Sequence, residues 1–300
     1  MIRIARGDEP AALARARPKR LAAAADAVGD RAGYLSGYAV GDVKVTLFRE
    51  QSKKCAWCES RIGLSSSPVE HVRPKDGAWR DLPEEPRAPR PRHNPTSRAH
   101  YWWLTWTWAN MVLSCVRCND GGHKANYFPL APGTAELDVP TLRGDALAAV
   151  PFDVTGESPL LLDPTERDFD FLDHVRWEPF QTNLARRLWL WTPRARSPRG
   201  DATMRILRLA EFGEEIRDHL VAAVLPSVEE IEGHMRADRH DLGRLRWTTL
   251  VDTTLRPSAP FTAATWCGLQ EWLPAGTRAA WGLADPPRPS ALVGCSSSPA

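Results

Sequence analysis

Two short motifs decide the fold of this chain: CAWC at residues 55–58 and CVRC at residues 115–118, with 56 residues between them. Each motif can present two thiolates to one side of a metal ion, so the pair completes the four-sulfur tetrahedron typical of structural zinc. The alternative is a redox dithiol, but such a pair usually sits at the start of a helix in a β-α-β unit, which the flanking sequence does not indicate. We therefore predict a structural Zn²⁺ site, whose ligands are Cys55, Cys58, Cys115 and Cys118.

The composition is that of an ordinary globular chain. Of 300 residues, 43% are hydrophobic and 25% charged, and 39 Lys and Arg against 37 Asp and Glu leave a net charge of +2. No apolar run approaches the roughly 18 residues of a membrane-spanning helix. The Ala-rich run at residues 21–28 is broken by Asp26, which is too weak a pattern for a signal peptide. We predict a cytoplasmic protein with no membrane partner, because paired cysteines in a reducing compartment are more often metal ligands than disulfides.

Shifts in composition divide the chain into four parts. A basic N-terminal segment (1–50) precedes a small module (51–130), which carries a Pro- and Arg-rich insert (79–100) that we expect to form an extended surface loop. A mainly helical accessory region (131–285) and a disordered tail (286–300) follow. A core of fewer than about 70–80 residues supplies about 3–5 kcal/mol. A zinc site in small peptides contributes about 10–16 kcal/mol. We therefore expect zinc to dominate the stability of the module.

Helical periodicity appears at both ends of the chain. The Ala-rich pattern at 10–28 predicts one helix, and steps of four from Ile216 to Val224 predict another that Pro226 ends. Residues 266–273 predict a later helix. The acidic cluster at residues 163–173 suggests a second metal site, formed by Asp163, Glu166, Asp168, Asp170 and Asp173. The alternation of Asp and Phe at residues 168–171 favours instead a strand with one solvent-exposed face.

Two further segments leave their roles open. The aromatic residues 101–108 fit either a strand or a helical face, and we interpret them as core rather than as a base-stacking surface. Residues 175–210 carry eight Arg against two acidic residues, a net of +6. The Arg residues from Arg186 to Arg208 can bind a DNA backbone, form a solvated helix face or pair with residues 131–174, where ten acidic residues against two Arg give −8.

The residues that suggest chemistry lie between and just after the two cysteine motifs. EHVRPK occupies residues 70–75, YWWL residues 101–104, SCVRCN residues 114–119 and KANYFPL residues 124–130. Asn110 stands five residues before Cys115. Histidine has an unperturbed pKa of about 6.5, which suits a general base near neutral pH.

This order resembles the HNH (His-Asn-His, ββα-metal) endonucleases, and more narrowly the PtuB-type members of Septu and retron-linked anti-phage systems. IARGDEP at residues 4–10 and SPLLLDP at residues 158–164 are also similar to that family, so the likeness covers roughly residues 1–175 in scattered blocks. The resemblance implies an α+β fold in which zinc holds a ββα nuclease module together. The C-terminal third matches in helical character alone.

The resemblance also implies roles for individual residues. His71 is expected to be the general base, and Asn110 to hold the hairpin so that the imidazole points correctly. Glu70 and Asn119 are expected to bind one catalytic Mg²⁺ or Mn²⁺, because hard cations prefer oxygen ligands. Asn119 replaces the more common His, and His123 is the alternative ligand.

Three basic residues are expected to contact nucleic acid: Arg73, Lys75 and Lys124. For Lys124 a solvated lysine at a helix end is the alternative.

The function predicted from these residues is metal-dependent endonucleolytic cleavage of DNA, with an ATPase subunit of a defence complex as a further partner. A catalytically inactive zinc-dependent nucleic-acid-binding or adaptor module is an alternative from another class. A restriction or mobile-element HNH nuclease is a third reading with the same chemistry. Sequence specificity, the choice of DNA over RNA and the activation trigger leave no signal in the sequence.

Overall fold

The chain folds as a mixed α+β protein, which confirms the predicted class. The computed structural model describes residues 1–27, 31–83, 100–120, 122–142, 144–148 and 153–292. The α-helices within these ranges are α1 (Ala11–Asp26), α2 (Val43–Glu50), α3 (Val116–Asn119), α4 (Gly144–Ala148), α5 (Pro198–Leu207), α6 (Gly213–Ala223), α7 (Leu225–Arg236), α8 (His240–Thr254), α9 (Thr262–Trp272) and α10 (Ala275–Trp281). The strands are β1 (Val69–His71), β2 (Met111–Leu113), β3 (Val175–Phe180) and β4 (Leu190–Ala195). None of the described helices is long and apolar enough to cross a bilayer.

A short antiparallel pair, β1 with β2, lies at the centre of the module. Glu70 is opposite Val112 and His71 is opposite Met111. All three residues of β2 are buried, so this strand is a core element rather than a surface edge. Helix α3 begins three residues after β2 ends. The second cysteine motif therefore begins two residues after β2 ends.

The aromatic residues 101–108 form core, as the sequence analysis predicted, but neither as a strand nor as an α-helix. Two 3-10 turns, Trp102–Leu104 and Trp108–Asn110, shape this segment. The side chains of Trp102 and Trp106 are at most 1% exposed. A 3-10 turn repeats every three residues, between the two-residue period of a strand and the 3.6-residue period of a helix, so the pattern matched both without deciding between them.

The N-terminal segment packs against the module and does not stand apart from it. The guanidinium group of Arg6 donates to the carbonyl oxygen of Met111 in β2 and lies 5.2 Å from the Trp108 ring centroid. The amide of Ile4 donates to the carbonyl of Pro164 at 2.8 Å. The segments 4–10 and 158–164, both singled out by the sequence analysis, therefore meet beside β2.

The C-terminal region is a β-hairpin of β3 and β4 covered by helices. The predicted helices are present as α1, α6 and α9, and Pro226 lies in the first turn of α7. The strand predicted at residues 168–171 is wrong: a turn and the 3-10 turn Phe171–Asp173 occupy it. The two phenylalanines of this segment are buried while Asp168 is exposed. The alternation of Asp and Phe therefore predicted which side chains are buried, but not the backbone conformation.

Part of the Arg-rich stretch pairs with the acidic segment. Arg199 donates to Glu166 at 2.9 Å, whereas Arg194 pairs with Glu178 and Arg186 with Glu232 inside the C-terminal region. The Arg199–Glu166 contact supports the interface interpretation for that residue, and the DNA-binding role of Arg186 to Arg208 stays a prediction.

The module and the helical region share one core. Arg117, between the cysteines of the second motif, pairs with Glu211 and Glu215 and lies 4.1 Å from the centroid of the Phe212 ring. Lys54, next to the first motif, donates to the carbonyl of Ala259 at 2.8 Å, just before α9. The module is thus not an isolated small domain, and zinc is not its sole source of stability.

The edges of the predicted insert are packed. Trp79 pairs with Tyr127, and Arg80 donates to the carbonyl of Phe128 at 2.7 Å. The rest of the insert, residues 84–99, lies outside the described residues.

The start of the predicted tail is also packed. Residues 286–292 include a 3-10 turn whose Pro289 is buried, and Arg288 pairs with Asp170 at 2.9 Å. Residues 293–300 lie outside the described part of the chain.

Helix α5 approaches the β-hairpin region so closely that only glycine fits at one position. A Cβ atom on Gly200 would lie 1.9 Å from the carbonyl oxygen of His174, which is backbone and cannot rotate away. We expect Gly200→Ala to lower the free energy of unfolding by about 1–3 kcal/mol or more, as overpacking does. Gly233→Ala in α7 is the matched control, because nothing lies within 4 Å of its added Cβ. This variant should gain about 0.4–1 kcal/mol, and urea unfolding of both variants tests the contrast.

Candidate active site and metal centre

Four cysteine sulfurs converge where β2 ends, as the spacing predicted. The Sγ atoms of Cys55, Cys58, Cys115 and Cys118 all lie within 4.8 Å of one another. Cys58 and Cys115 are 3.8 Å apart. A tetrahedron with Zn–S bonds of about 2.3 Å has sulfur–sulfur edges of about 3.8 Å. The cluster therefore has the composition and dimensions of a structural zinc site.

Backbone hydrogen bonds place the two motifs side by side. The amide of Cys55 donates to the carbonyl of Ser60 at 2.9 Å, which closes the first motif into a turn. The amide of Ala56 donates to the carbonyl of Leu113, the last residue of β2. The second motif begins two residues later. Both motifs are therefore anchored to the same end of one strand.

The four thiols of the cluster differ in how readily they ionise. Hydrogen bonds from the other three thiols and from the Cys118 amide hold the pKa of Cys115 well below its usual range. Burial raises the pKa of Cys58. Cys115 is thus the thiolate of the cluster, and a dication that binds here would displace the protons of the neighbouring thiols, as metal binding to cysteine does. The meeting of four sulfurs, rather than two, favours a metal site over a redox pair.

An open cleft of about 450 Å³ lies beside the β1/β2 pair. Its lining combines titratable, amide and aromatic side chains with backbone of β1 and of the segment that follows. The lining residues are Tyr38, Pro68, Val69, Glu70, His71, Pro74, Lys75, Asp76, Trp79, Asn119, Ala125 and Asn126. Three of the predicted site residues on three different segments, Glu70, Lys75 and Asn119, thus meet His71 in one cavity.

His71 is held in a single tautomer at the end of β1. Its Nε2 lies 2.9 Å from the carbonyl oxygen of Thr105. A carbonyl only accepts, so Nε2 carries the proton and Nδ1 carries the lone pair. Burial lowers the pKa of His71 to about 3, and the charges of Lys75 and Lys124 act in the same direction. The imidazole is therefore neutral at pH 7.

Asn110 fastens the two segments that fix His71. Its Oδ1 accepts from the amide of Arg73 at 2.8 Å, and its Nδ2 donates to the carbonyls of Arg73 and Leu104 at 3.0 and 3.3 Å. Arg73 is two residues beyond His71, and Leu104 precedes Thr105, the hydrogen-bond partner of His71. Because Asn110 is fully buried, these bonds form without competition from water. Its side chain thus locks the geometry around the imidazole.

Glu70 lies at the cleft in an ion pair with Lys124. The Lys124 ammonium group lies 2.7 Å from Glu70 Oε1, and its side chain is 0% exposed, against 14% for Glu70. Lys124 is therefore neither a solvated lysine nor positioned to reach a phosphate in the solvent. Arg73 is likewise buried, 3.0 Å from Glu157 and 5.1 Å from the Phe128 ring centroid. Lys124 and Arg73 were both predicted to contact nucleic acid, but each pairs with a carboxylate inside the protein instead.

Lys75 differs from those two basic residues. Its side chain is half-buried, lines the cleft and lies 5.6 Å from the centre of the Tyr38 ring. It is the basic residue of the predicted set that the structure leaves at the cleft surface.

The two alternatives for the third position separate in space. Asn119, the last residue of α3, lines the cleft with Glu70 and His71. His123 is turned toward the C-terminal region, where its Nε2 lies 3.4 Å from Glu211 and its ring packs against Phe212. The structure places Asn119, and not His123, with the other site residues.

Tyr38 belongs to the cleft, and sequence reasoning missed it. Its ring meets the His71 imidazole edge-on, with centroids 4.6 Å apart. Burial and the Glu70 charge raise the pKa of its hydroxyl, so the phenol stays neutral. Residue 38 lies 33 positions before His71 in a Gly-rich segment, and no local pattern connects the two.

The cleft contains two oxygen donors of the type that hard cations prefer. Glu70 offers its second carboxylate oxygen and Asn119 an amide oxygen. Mg²⁺ usually keeps several waters and takes one or two protein carboxylates, so few protein ligands suffice. Within the part of the chain that the structure describes, the four cysteines alone form a group of three or more His, Cys, Asp or Glu donors close enough for one ion. The second metal site considered for residues 163–173 has no such group.

Loss of zinc should destabilise the whole core, because both cysteine motifs contact the helical region. We expect one tightly held zinc per chain by elemental analysis. Cys118→Ser should lose the metal and at least about 4–5 kcal/mol of unfolding free energy. Cys267→Ser is the control, since this buried thiol lies outside the cluster. A chain that melts at the same temperature with and without bound zinc would contradict the structural role.

Comparison with curated proteins relates part of this chain to a named relative. Over 127 residues it is 33% identical to the Septu protein PtuB of Bacillus mycoides (strain KBAB4). The match covers 42% of this chain and 36% of the relative, so the chain spans about a third of the length of the curated protein it matches. No family model matches the chain, and no solved structure does. The chain is thus similar in part to a Septu protein.

Proposed function

We propose that this protein is a metal-dependent endonuclease that hydrolyses DNA phosphodiester bonds and serves as an effector of anti-phage defence. The chemistry rests on the cleft that collects His71, Glu70, Asn119 and Lys75. The biological role rests on the partial similarity to a Septu protein.

One observation carries the proposal: His71 is neutral, buried and fixed in one tautomer at an open cleft. Because Nε2 is occupied by Thr105, Nδ1 is the nitrogen that can take a proton from water. The activated water attacks phosphorus and gives its proton to Nδ1, the P–O3′ bond breaks, and the departing O3′ takes a proton from solvent, so the products carry 5′-phosphate and 3′-hydroxyl ends. A positioned base whose pKa lies near the working pH contributes about 10²–10⁴-fold in rate, and the anionic phosphate beside His71 would raise its pKa from the low value of the ligand-free protein.

The other residues of the cleft would position the base, bind the phosphate backbone or bind the cation. Asn110 fixes the segments on either side of the imidazole, so the base loses little entropy in reaching its working geometry. Lys75 supplies a positive charge to a phosphate of the bound strand. Glu70 and Asn119 would hold one Mg²⁺ or Mn²⁺. When bound, this cation supplies positive charge to the scissile phosphate and the leaving oxygen.

A second candidate is a zinc-dependent nucleic-acid-binding or adaptor module without hydrolysis. The Lys124–Glu70 ion pair favours it, because the ammonium neutralises the one carboxylate that β1 contributes to the cleft. Plasmid nicking by the purified protein supports the nuclease, whereas gel retardation without nicking in Mg²⁺ and in Mn²⁺ supports the adaptor.

The resemblance drawn from the sequence implies an ATPase partner in a defence complex. Co-expression with a candidate ATPase, followed by phage plaque counts, tests that role. Protection that is lost when His71 is replaced would support an effector nuclease.

Replacement of the proposed base should abolish most activity. We expect His71→Ala to lower kcat for plasmid nicking by about 10²–10⁴-fold, with zinc content retained. His240→Ala is the matched control, since His240 is exposed on α8 and outside the cleft. Equal activity of His71→Ala and the unmodified protein would refute the assignment of the base.

Lys75 should act through a single phosphate contact. We expect Lys75→Ala to weaken DNA binding similarly for all sequences and to reduce the slope of log K against log salt concentration by about 0.9. Lys19→Ala, on the exposed side of α1, should leave both quantities unchanged. Titration of a fluorescent duplex at several salt concentrations measures the slope. An unchanged slope in Lys75→Ala would remove this residue from the DNA-binding surface.

A further inference from the structure

Lys124 occupies an unusual position for a lysine. Its side chain is wholly buried, and its ammonium group is 2.7 Å from Glu70 Oε1 and 3.3 Å from the carbonyl of Ala125. Its amide donates to the carbonyl of Cys118 at 3.2 Å, which ties it to the second cysteine motif. The backbone of the metal centre therefore delivers a fixed positive charge to the edge of the cleft.

The Lys124 ammonium group compensates the negative charge of Glu70. A carboxylate shielded from water is costly unless a charged or hydrogen-bonding partner compensates it. Glu70 is 14% exposed, and Lys124 is the charged partner that lies closest to it. The cleft thus has a neutral ion pair at the place where the proposed function requires a cation ligand.

A divalent cation at Glu70 must bind next to this ammonium group. The carboxylate then has to serve two positive charges instead of one, and the two cations repel each other in a partly desolvated environment. The sharing of the carboxylate and the repulsion between the two cations both weaken the binding of a dication to the protein when no DNA is bound. A lysine that only stabilised the fold would affect stability without this selective effect on cation affinity.

We propose that Lys124 is the resident counter-ion of the cleft, which neutralises Glu70 in the cation-free protein and thereby sets a low affinity for Mg²⁺ or Mn²⁺. This inference rests on the cation site of the proposed function and assigns that site a residue which controls its affinity. Lys124 acts through Glu70 and touches neither substrate nor the reacting atoms, so it is a positioning residue and not a catalytic one.

Mn²⁺ binding to the zinc-loaded full chain tests the proposal directly. The free Mn²⁺ signal in electron paramagnetic resonance gives the dissociation constant without any nuclease assay. Lys124→Met keeps the length of the side chain and removes its charge, so we expect Mn²⁺ to bind at least tenfold more tightly. The double variant Lys124→Met with Glu70→Gln should lose this gain.

Lys75→Met is the matched control, because it removes a positive charge from the same cleft without removing a counter-ion of Glu70. Its effect on Mn²⁺ affinity should be less than threefold. Equal tightening in the two lysine variants would overturn the specific role of Lys124. Unchanged or weaker Mn²⁺ binding in Lys124→Met would overturn it as well.

A second measurement keeps the test decisive where Lys124→Met folds poorly. Mn²⁺ should then raise its melting temperature more than that of the unmodified chain, because the cation replaces the missing counter-ion. An equal or smaller rise would contradict the proposal. Failure of the nuclease assay alone refutes the proposed function and leaves this result intact, because neither readout depends on DNA cleavage.

Discussion

The convergence of four cysteine sulfurs at one end of β2 is the constraint on which the rest of the site depends. Asn110 immediately precedes β2 and Cys115 follows it by two residues, so this strand connects the buried Asn110 amide to the second cysteine motif. Helix α3 then returns the chain to the cleft at Asn119. A metal that fixes both motifs therefore also fixes the distance between β1 and the segment that follows α3.

The cleft is built from buried polar groups whose partners are defined. His71 donates to Thr105, Asn110 bonds three backbone groups, and Glu70 pairs with Lys124. A rotamer that broke one of these bonds would leave a buried polar group unsatisfied, at a cost of about 1–3 kcal/mol. Each bond therefore disfavours the alternative rotamers of its side chain. The surroundings of the imidazole are consequently organised before any ligand arrives, which is the arrangement that favours proton transfer at a fixed site.

The helical region contacts residues within and next to the two cysteine motifs. Arg117 lies between two cysteines of the cluster and pairs with acids at and just before the start of α6, while Lys54 reaches the turn before α9. These contacts cross more than 90 residues of sequence. A core of this size lessens the dependence on zinc that a module of 80 residues alone would show.

The sequence by itself located the four cysteines that meet in one cluster and the mixed fold class, because metal geometry restricts ligand type and spacing to few patterns. A family resemblance added part of the cleft lining, namely Glu70, His71, Lys75 and Asn119. The sequence also located the helices whose apolar positions repeat every three to four residues. Tertiary structure decided what each side chain meets: the turns at residues 102–110, the burial of Arg73, the separation of His123 from the cleft and the contact of Tyr38 with His71. These outcomes depend on long-range packing and on the pairing of buried charges, and a linear pattern carries no information about either.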